Sequence, residues 1–215
     1  MAASRVSTVL QTSAQRVLDR PYSLDSDLVS ELDSDLVSEN ESLSSEVARL
    51  RLRVLELERA ADTDPLVPVY NRRAFMREVA RAQTVMARYD MLSSIVFFDL
   101  NDFKSINDRF GHGIGDELLM KTGKVLLAGV RDCDMVARLG GDEFGILLFK
   151  TEPLVAQAKA STLACRISEE YVEMPTGNVN VTAAWGTAPC EADDTPEQIL
   201  ARADRAMYMA KKSTD

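Results

Sequence analysis

Histidine is almost absent from this sequence, and cysteine is scarce. The single histidine is His112, which excludes a metal site built from several histidines. The three cysteines, Cys133, Cys165 and Cys190, are odd in number and match no zinc or redox spacing. We therefore expect buried or idle thiols rather than a cysteine-based site.

Long apolar runs are also lacking. No run approaches the roughly 18 residues that a membrane helix needs. The N-terminus lacks the cationic start and apolar stretch of a secretory signal. Apolar residues still make up 46% of the 215 residues, which is typical of a globular protein with one ordinary core. These features predict a cytoplasmic protein with no membrane partner.

Basic residues are missing from one segment of the chain. Between Pro21 and Ala48 there are eight acidic residues and no Lys or Arg, against a net charge of −9 for the whole chain. The remainder is close to neutral, so no nucleic-acid-binding surface is predicted. An eight-residue repeat starts at Asp25 and again at Asp33, and the simpler interpretation is a local duplication in a solvated helix or tail.

A heptad pattern runs through and beyond this acidic segment. Val29, Leu36, Leu43, Leu50 and Leu57 are seven residues apart, and Asn40, Val47, Val54 and Ala61 follow the leucines by four. Leucine at one core position and β-branched residues at the other favour a parallel two-stranded coiled coil, with Asn40 fixing its register. The alternative is one amphipathic helix packed on its own domain. We favour the homodimer because so long a stripe needs a partner to be buried.

From Asp62 onwards, helix and strand patterns alternate. The expected helices cover residues 72–89, 101–110, 115–130, 153–172 and 195–211, and the expected strands cover residues 94–100, 135–139, 144–149 and 179–188. Gly140 and Gly141 predict a tight hairpin turn, in which they allow positive φ and close approach of a ligand to the backbone. The pattern predicts an α+β fold in which helices pack on a sheet.

Acidic residues lie at two predicted strand ends. Asp99 ends a buried strand, and Asp142 and Glu143 lie at the hairpin tip. If the strands are neighbours, Asp99 and Asp142 converge, and each raises the other's pKa unless a cation lies between them. Mg²⁺ with phosphates completing its oxygen shell would favour phosphoryl or nucleotidyl transfer. Taken singly, each acid is more often a cap or turn residue.

Four motifs occur in order between Asp62 and Lys211. They are Asp64-Pro-Leu66 with Tyr70-Asn71-Arg72-Arg73, the block from Phe98 to Asp116, the run from Arg138 to Phe144, and the run from Asp204 to Lys211. Each resembles a motif of the GGDEF-domain diguanylate cyclases, and four ordered matches are specific where one alone is not. The resemblance implies a nucleotidyl-cyclase or polymerase-palm-like fold with a central, mostly antiparallel sheet flanked by helices, preceded here by a long N-terminal helix.

The resemblance also implies a domain organisation and a reaction. Residues 1–24 are a segment of unknown role, residues 25–61 an acidic helix and dimeric coiled coil, and residues 62–215 the GGDEF catalytic domain. Two GTP molecules, one bound to each domain of a dimer, would be joined to cyclic di-GMP with release of two pyrophosphates. The expected cofactor is Mg²⁺ or Mn²⁺, and an unidentified protein partner is left open.

Residue by residue, the resemblance assigns roles. The metal ligands are Asp99, the Leu100 carbonyl and Asp142, and the catalytic residues are Asp142, Glu143 and Lys104. The substrate-binding residues are Phe103, Lys104, Asn107, His112, Asp116, Gly140, Gly141 and Lys211, with Asn107 and Asp116 as guanine readers. For His112, a local hydrogen bond that braces the Gly111–Gly115 turn is an equal alternative.

The resemblance extends to an inhibitory site and has some departures. Arg131 and Asp134 match the family's R-x-x-D site for the product, with a surface ion pair as the alternative. Val67 and Pro68 replace the usual Thr and Gly, Trp185 stands in the strand before Gly186, and no Gly-Arg-Asn follows Lys211. The expected function is a product-inhibited diguanylate cyclase; the alternative is a weak or silent cyclic di-GMP receptor or scaffold.

Overall fold

The computed structural model describes residues 26–89, 91–175 and 177–212. The predicted segment 1–24 therefore lies outside the described residues. The chain divides into two compact units, with the boundary between Leu57 and Glu58.

A single helix, α1 (Ser26–Asp62), forms the described part of the first unit, and its last residues, from Glu58, belong to the second. Its 37 residues contain neither proline nor glycine, which are the residues that most readily end a helix. The predicted long N-terminal helix is confirmed. The apolar heptad side chains from Leu36 to Val54 are about half exposed in this chain, from 44% for Leu43 to 53% for Val54.

The second unit alternates strands and helices. In chain order its elements are β1 (Tyr70–Asn71), α2 (Arg72–Tyr89), β2 (Ser93–Leu100), α3 (Phe103–Phe110), α4 (His112–Ala128), β3 (Met135–Arg138), β4 (Glu143–Phe149), α5 (Pro153–Glu169), β5 (Tyr171–Val172), β6 (Val179–Asn180), β7 (Ala183–Pro189) and α6 (Pro196–Lys212). Five strands form one sheet in the order β1-β3-β4-β2-β7, in which only the β1–β3 pair is parallel. The predicted mostly antiparallel α+β fold is confirmed.

The sheet is covered by helices on both faces because its central strands are apolar on both sides. Val96 and Phe98 of β2 pack on one face with α4 and α5. Ile95 and Phe97 of the same strand pack on the other face with α2 and α6. Strand β2 is buried along almost its whole length, and this is why its sequence is continuously apolar. Asp99, near its end, is the exception.

Three predicted elements were wrong in extent. The helix expected to reach Val172 ends at Glu169, because Tyr171 and Val172 pair with β6 in a small separate sheet. The strand expected over residues 179–188 is split, because Val179 and Asn180 pair with β5 in the small sheet whereas Ala183–Pro189 pair with β2. Helix α4 also begins earlier than predicted, at His112.

The described residues contain neither a membrane-spanning helix nor a disulfide. No helix among them combines the length and the apolar character needed to cross a bilayer. All three cysteines are free thiols, and burial raises the pKa of Cys190 to about 12, so this thiol is inert at neutral pH.

Candidate active site at one end of the sheet

The acidic residues meet where β2 and β4 run side by side. Asp99 lies opposite Glu143 in the antiparallel register, and the Leu100 N–H donates to the Asp142 carbonyl at 3.2 Å. Asp99, Asp142 and Glu143 are all half-buried. The convergence expected from the sequence therefore occurs, and it follows from the pairing of two strands 43 residues apart in the chain.

Glu143 is held in an environment that disfavours its charge. Burial, followed by the neighbouring carboxylates of Asp142 and Asp99, raises the pKa of Glu143 above its ordinary value. Its side chain lies over Gly140, where a Cβ would come within 2.3 Å of Glu143 Oε2. The absence of a side chain at Gly140 therefore allows the close approach of the Glu143 side chain. The freedom of Gly140 and Gly141 to adopt a positive φ is not used, since neither has one.

Arg138 and Asp64 hold the glycine turn, and sequence reasoning gave neither a role. Arg138 donates through Nε and Nη2 to the Gly141 carbonyl, at 3.1 and 2.7 Å, and through Nε to the Gly140 carbonyl. Its Nη1 contacts Asp64 Oδ1 at 3.2 Å, and both side chains are about 15% exposed. Both residues lie inside the recognised motifs, but their partnership joins segments far apart in the chain and could not be read from spacing.

Lys211 reaches the site from the last turn of α6. Its Nζ donates to Asp99 Oδ1 at 2.7 Å, and both side chains are partly exposed, at 39% and 26%. The family resemblance made Lys211 a substrate-binding residue and did not predict this ion pair. The contact was not foreseeable because 112 residues separate the partners.

The loop after β2 and helices α3 and α4 carry the residues assigned to the nucleotide. Asp102 has φ 54°, a left-handed conformation that turns the chain into α3 immediately after the sheet. Phe103 is buried, whereas Lys104 is exposed on the first turn of α3. The amides at this helix start therefore lie just beyond the end of β2, beside Asp99.

Asn107 presents an unsatisfied acceptor. Its Oδ1 is buried and has no hydrogen-bond partner among the described residues. A Cβ on Gly115 would come within 2.0 Å of this oxygen, so the absence of a side chain at Gly115 makes room for the amide. A buried acceptor without a partner costs free energy, which suits a group that is satisfied by a ligand.

His112 and Asp116 flank this position on the first turns of α4, and both are exposed. No hydrogen bond of the His112 ring is found among the described residues, so the bracing alternative gains no support. Asp116 follows Gly115 directly, on the same helical turn.

Arg131 and Asp134 form a compact turn at the opposite end of the β3–β4 hairpin, roughly 20 Å from Glu143 by strand rise. The Asp134 side chain is fully buried and accepts from the Phe149 and Arg131 N–H groups. Arg131 contacts Asp134 at 3.1 Å while its own side chain stays 57% exposed. The hydrogen bond that Arg131 donates to Asp134 raises the pKa of Arg131, which fixes a permanent cation at the surface.

The acidic end of the sheet fits a magnesium-like ion by its donor chemistry. Asp99 and Asp142 offer carboxylate oxygens, and Leu100 offers a carbonyl. The described residues contain no group of three or more His, Cys, Asp or Glu that could hold an ion alone. Mg²⁺ is usually bound by one or two carboxylates plus substrate phosphates, so these residues fit it.

The sequence is similar to those of named diguanylate cyclases. Over 170 residues the chain is 36% identical to the bifunctional diguanylate cyclase/cyclic di-GMP phosphodiesterase MucR of Pseudomonas aeruginosa, covering 79% of this chain and 24% of MucR. Over 177 residues it is 35% identical to diguanylate cyclase TpbB of the same species, covering 80% and 40%. The chain thus spans less than half of the length of either relative.

A solved structure and a family profile also match the chain. The coiled coil and GGDEF domain of DgcB from Caulobacter crescentus superposes with a TM-score of 0.74 at 25% identity, covering 83% of this chain and 95% of DgcB's. The profile described as "Diguanylate cyclase, GGDEF domain" matches residues 61–215. With that match over most of its length, the chain belongs to the GGDEF family of diguanylate cyclase domains.

Proposed function

We propose that this chain is a diguanylate cyclase that condenses two GTP molecules into cyclic di-GMP with release of two pyrophosphates. The observation that carries the proposal is the meeting of Asp99, Asp142 and Glu143 beside the Gly140–Gly141 turn. A receptor or scaffold gains nothing from carboxylates that raise the pKa of Glu143.

Asp99, Asp142 and the Leu100 carbonyl would hold Mg²⁺ or Mn²⁺. The ion, when bound, supplies positive charge that polarises the α-phosphate and balances the departing pyrophosphate. The exposed Lys104 and the amides at the start of α3 would bind phosphate oxygens, since a helix start offers N–H groups that have no partner within the helix.

Asn107 and Asp116 would read guanine. The free Oδ1 of Asn107 can accept from the guanine amino group, and the Asp116 carboxylate can accept from N1–H and N2–H. Adenine has no N2 amino group and no N1–H, so these acceptors select against ATP. Phe103 and His112 lie on the flanking turns and would complete the pocket.

In the reaction, the 3′-hydroxyl of one GTP attacks the α-phosphorus of the other. The bond from that phosphorus to the bridging oxygen of pyrophosphate breaks, and Asp142 is the group that would take the hydroxyl proton. A second, symmetrical attack closes the ring, so two pyrophosphates and two protons leave. Glu143 stands next to Asp142 and, as a carboxylate, would favour transfer of the proton to that side.

Both attacks need two domains facing each other, so we propose a parallel homodimer through α1. The exposed heptad side chains Leu43, Val47, Leu50 and Val54 form an apolar stripe of the kind that a second copy buries. Tethering two half-sites raises their effective concentration without new contacts in the site. DgcB, the similar structure, was solved with a coiled coil.

We propose that Arg131 and Asp134 bind the product and inhibit the enzyme. The Arg131 guanidinium is fixed by Asp134 and Thr151 yet largely exposed, so it is preorganised to pair with guanine edges and phosphates. Because the site is remote from Glu143, inhibition would come from holding the domains apart. DgcB was crystallised with cyclic di-GMP.

The acidic first half of α1 is a candidate binding site for a further protein partner. The solved structure of SiaD from Pseudomonas aeruginosa, with a TM-score of 0.71 at 25% identity, contains its activator SiaC. We propose that an unidentified protein recognises the acidic segment of this chain in a regulatory role. A cytoplasmic location remains part of the proposal, because GTP is the substrate.

The test is incubation of the purified chain with GTP and Mg²⁺, after removal of bound nucleotide, followed by nucleotide chromatography. We expect cyclic di-GMP and two pyrophosphates per product from the parent, and none from Asp142→Asn. ATP in place of GTP is the specificity control. If the parent forms no product but still binds cyclic di-GMP, the receptor alternative is correct.

A further inference from the structure

The Lys211 ammonium lies against the Asp99 carboxylate, the group that would hold a cation in the proposed site. Its Nζ is 2.7 Å from Asp99 Oδ1, the length of a strong charge-assisted hydrogen bond. Mg²⁺ requires its oxygen ligands in near-ideal octahedral geometry at about 2.0–2.1 Å. One carboxylate oxygen cannot serve both cations at these distances without strong repulsion between them.

The position of Lys211 is set by the packing of α6. Gly186 of β7 lets the helix lie directly on the sheet, where a Cβ would come within 2.1 Å of the Ala203 carbonyl oxygen and 2.3 Å of the Met207 amide. Ala203 and Met207 are buried under the sheet, and Lys211 follows Met207 by one helical turn. The ammonium therefore reaches Asp99 from a firmly packed helix, and only its side chain needs to move.

We propose that Lys211 is a positioning residue that competes with the divalent cation for Asp99 and yields it when a nucleotide phosphate is present. The inference rests on the proposed function, in which Asp99 is a metal ligand. A triphosphate offers the lysine a more highly charged partner than one carboxylate. Lys211 therefore leaves Asp99 for phosphate as the metal and nucleotide arrive together.

The consequence is a coupling between metal and nucleotide binding. Without nucleotide, the ion pair lowers the affinity of Asp99 for the metal. With nucleotide, the same lysine strengthens phosphate binding and no longer opposes the metal. A purely structural ion pair, or a lysine that serves phosphate alone, has no such effect on metal affinity in the absence of nucleotide.

The experiment measures Mn²⁺ binding to the full chain by electron paramagnetic resonance, without nucleotide. Lys211→Met removes the competing ammonium, so we expect Mn²⁺ to bind about fivefold tighter, as suits a partly exposed ion pair. Lys211→Arg keeps the cation and should match the parent. Lys212→Met is the charge-matched control, because Lys212 lies over the Tyr208 ring at 4.7 Å instead of on Asp99. It should change Mn²⁺ affinity less than about twofold.

With a non-reactive GTP analogue present, the order should reverse, and Lys211→Met should bind Mn²⁺–nucleotide more weakly than the parent. Equal Mn²⁺ affinity of Lys211→Met and the parent, or an equal gain in Lys212→Met, would overturn the proposal. Asp99→Asn distinguishes failure of this inference from failure of the proposed metal site. If it binds Mn²⁺ as well as the parent, the metal site itself is wrong; if it alone loses Mn²⁺, the site stands. Matched circular dichroism spectra confirm that all variants fold.

Discussion

At the scale of single residues, Glu143 links the acidity of the site to the stability of the fold. Burial and two neighbouring carboxylates raise its pKa. A carboxyl group whose folded-state pKa is raised stabilises the fold while protonated, at pH below its unfolded pKa. That contribution is lost as the pH rises through the folded pKa, so ionised Glu143 weakens the fold at neutral pH.

We therefore expect Glu143→Gln to abolish cyclase activity and yet raise the Tm by a few degrees at pH 7.5, measured with a chelator present. The gain should shrink towards pH 4, where the parent's Glu143 becomes protonated. Glu173→Gln, at an exposed glutamate, is the control and should leave the Tm unchanged. An equal gain at both pH values would contradict this account.

Gly115 makes room for the Asn107 amide, and this predicts a selective defect. In Gly115→Ala the new methyl group would lie 2.0 Å from Asn107 Oδ1 and 3.1 Å from Phe103 Cζ, so the amide must move. We expect the KM for GTP to rise at least about tenfold, since displacing one polar contact to a ligand costs about 1.5 kcal/mol.

The matched control is Gly113→Ala, on the same helical turn, where a methyl group meets nothing within 4 Å. It should keep the parent's KM and, in a helix, gain up to about 1 kcal/mol of stability. Equal KM values for Gly115→Ala and the parent would show that Asn107 does not touch the substrate.

At the scale of elements, the contact of α6 with β7 depends on Gly186. A methyl group there would meet the backbone of Ala203 and Met207 at 2.1 and 2.3 Å, so the helix itself must shift. We expect Gly186→Ala to lower the free energy of unfolding by about 2 kcal/mol, in the range of an overpacked core. Chemical denaturation measures it, and the Gly113→Ala variant should show no such loss.

Because α6 carries Lys211, the same substitution should weaken GTP binding as well. If Gly186→Ala lost stability without any change in GTP affinity, the helix would not position Lys211. The strand and helix pattern of the sequence located these two elements but not their contact, since Gly186 could also have marked a bulge.

At the scale of the whole molecule, the exposed heptad residues of α1 predict an obligatory dimer. Leu50→Lys puts a charge in the proposed seam, where a buried leucine contributes about 1.5–3 kcal/mol per copy. We expect the mass measured by light scattering to fall towards that of a monomer and the activity to fall with it. Leu52→Lys is the matched control, because Leu52 is 64% exposed and lies outside the heptad core positions. Equal behaviour of both variants would exclude the coiled coil.

Feedback inhibition is also a property of the whole molecule, because Arg131 lies far from the acids. Arg131→Ala should raise the inhibition constant for cyclic di-GMP at least about tenfold, given about 1.5–3 kcal/mol for a hydrogen bond to a charged group. Uninhibited turnover should stay the same. Arg166→Ala, which removes an exposed arginine on α5, should remain inhibited like the parent. Unchanged inhibition in Arg131→Ala would refute the inhibitory site.

Much of this protein was determined by its sequence. The apolar run from Ser94 to Phe98 predicted a buried strand because both faces of β2 pack against helices. The long helix α1 followed from heptad spacing and the absence of Pro and Gly. The sequence predicted Asp99, Asp142 and Asn107 as site residues because each lies in a short motif, and such a motif can be recognised without knowing the tertiary structure.

The tertiary structure alone decided which of these residues meet. The pairing of Lys211 with Asp99 and of Arg138 with Asp64 joins residues 112 and 74 positions apart, and no local period reports such contacts. The small β5–β6 sheet replaced a predicted helix end because strand pairing overrode local propensity. Likewise, Gly140 makes room for the Glu143 side chain without adopting a positive φ, and the Arg138 side chain holds the carbonyls of the turn.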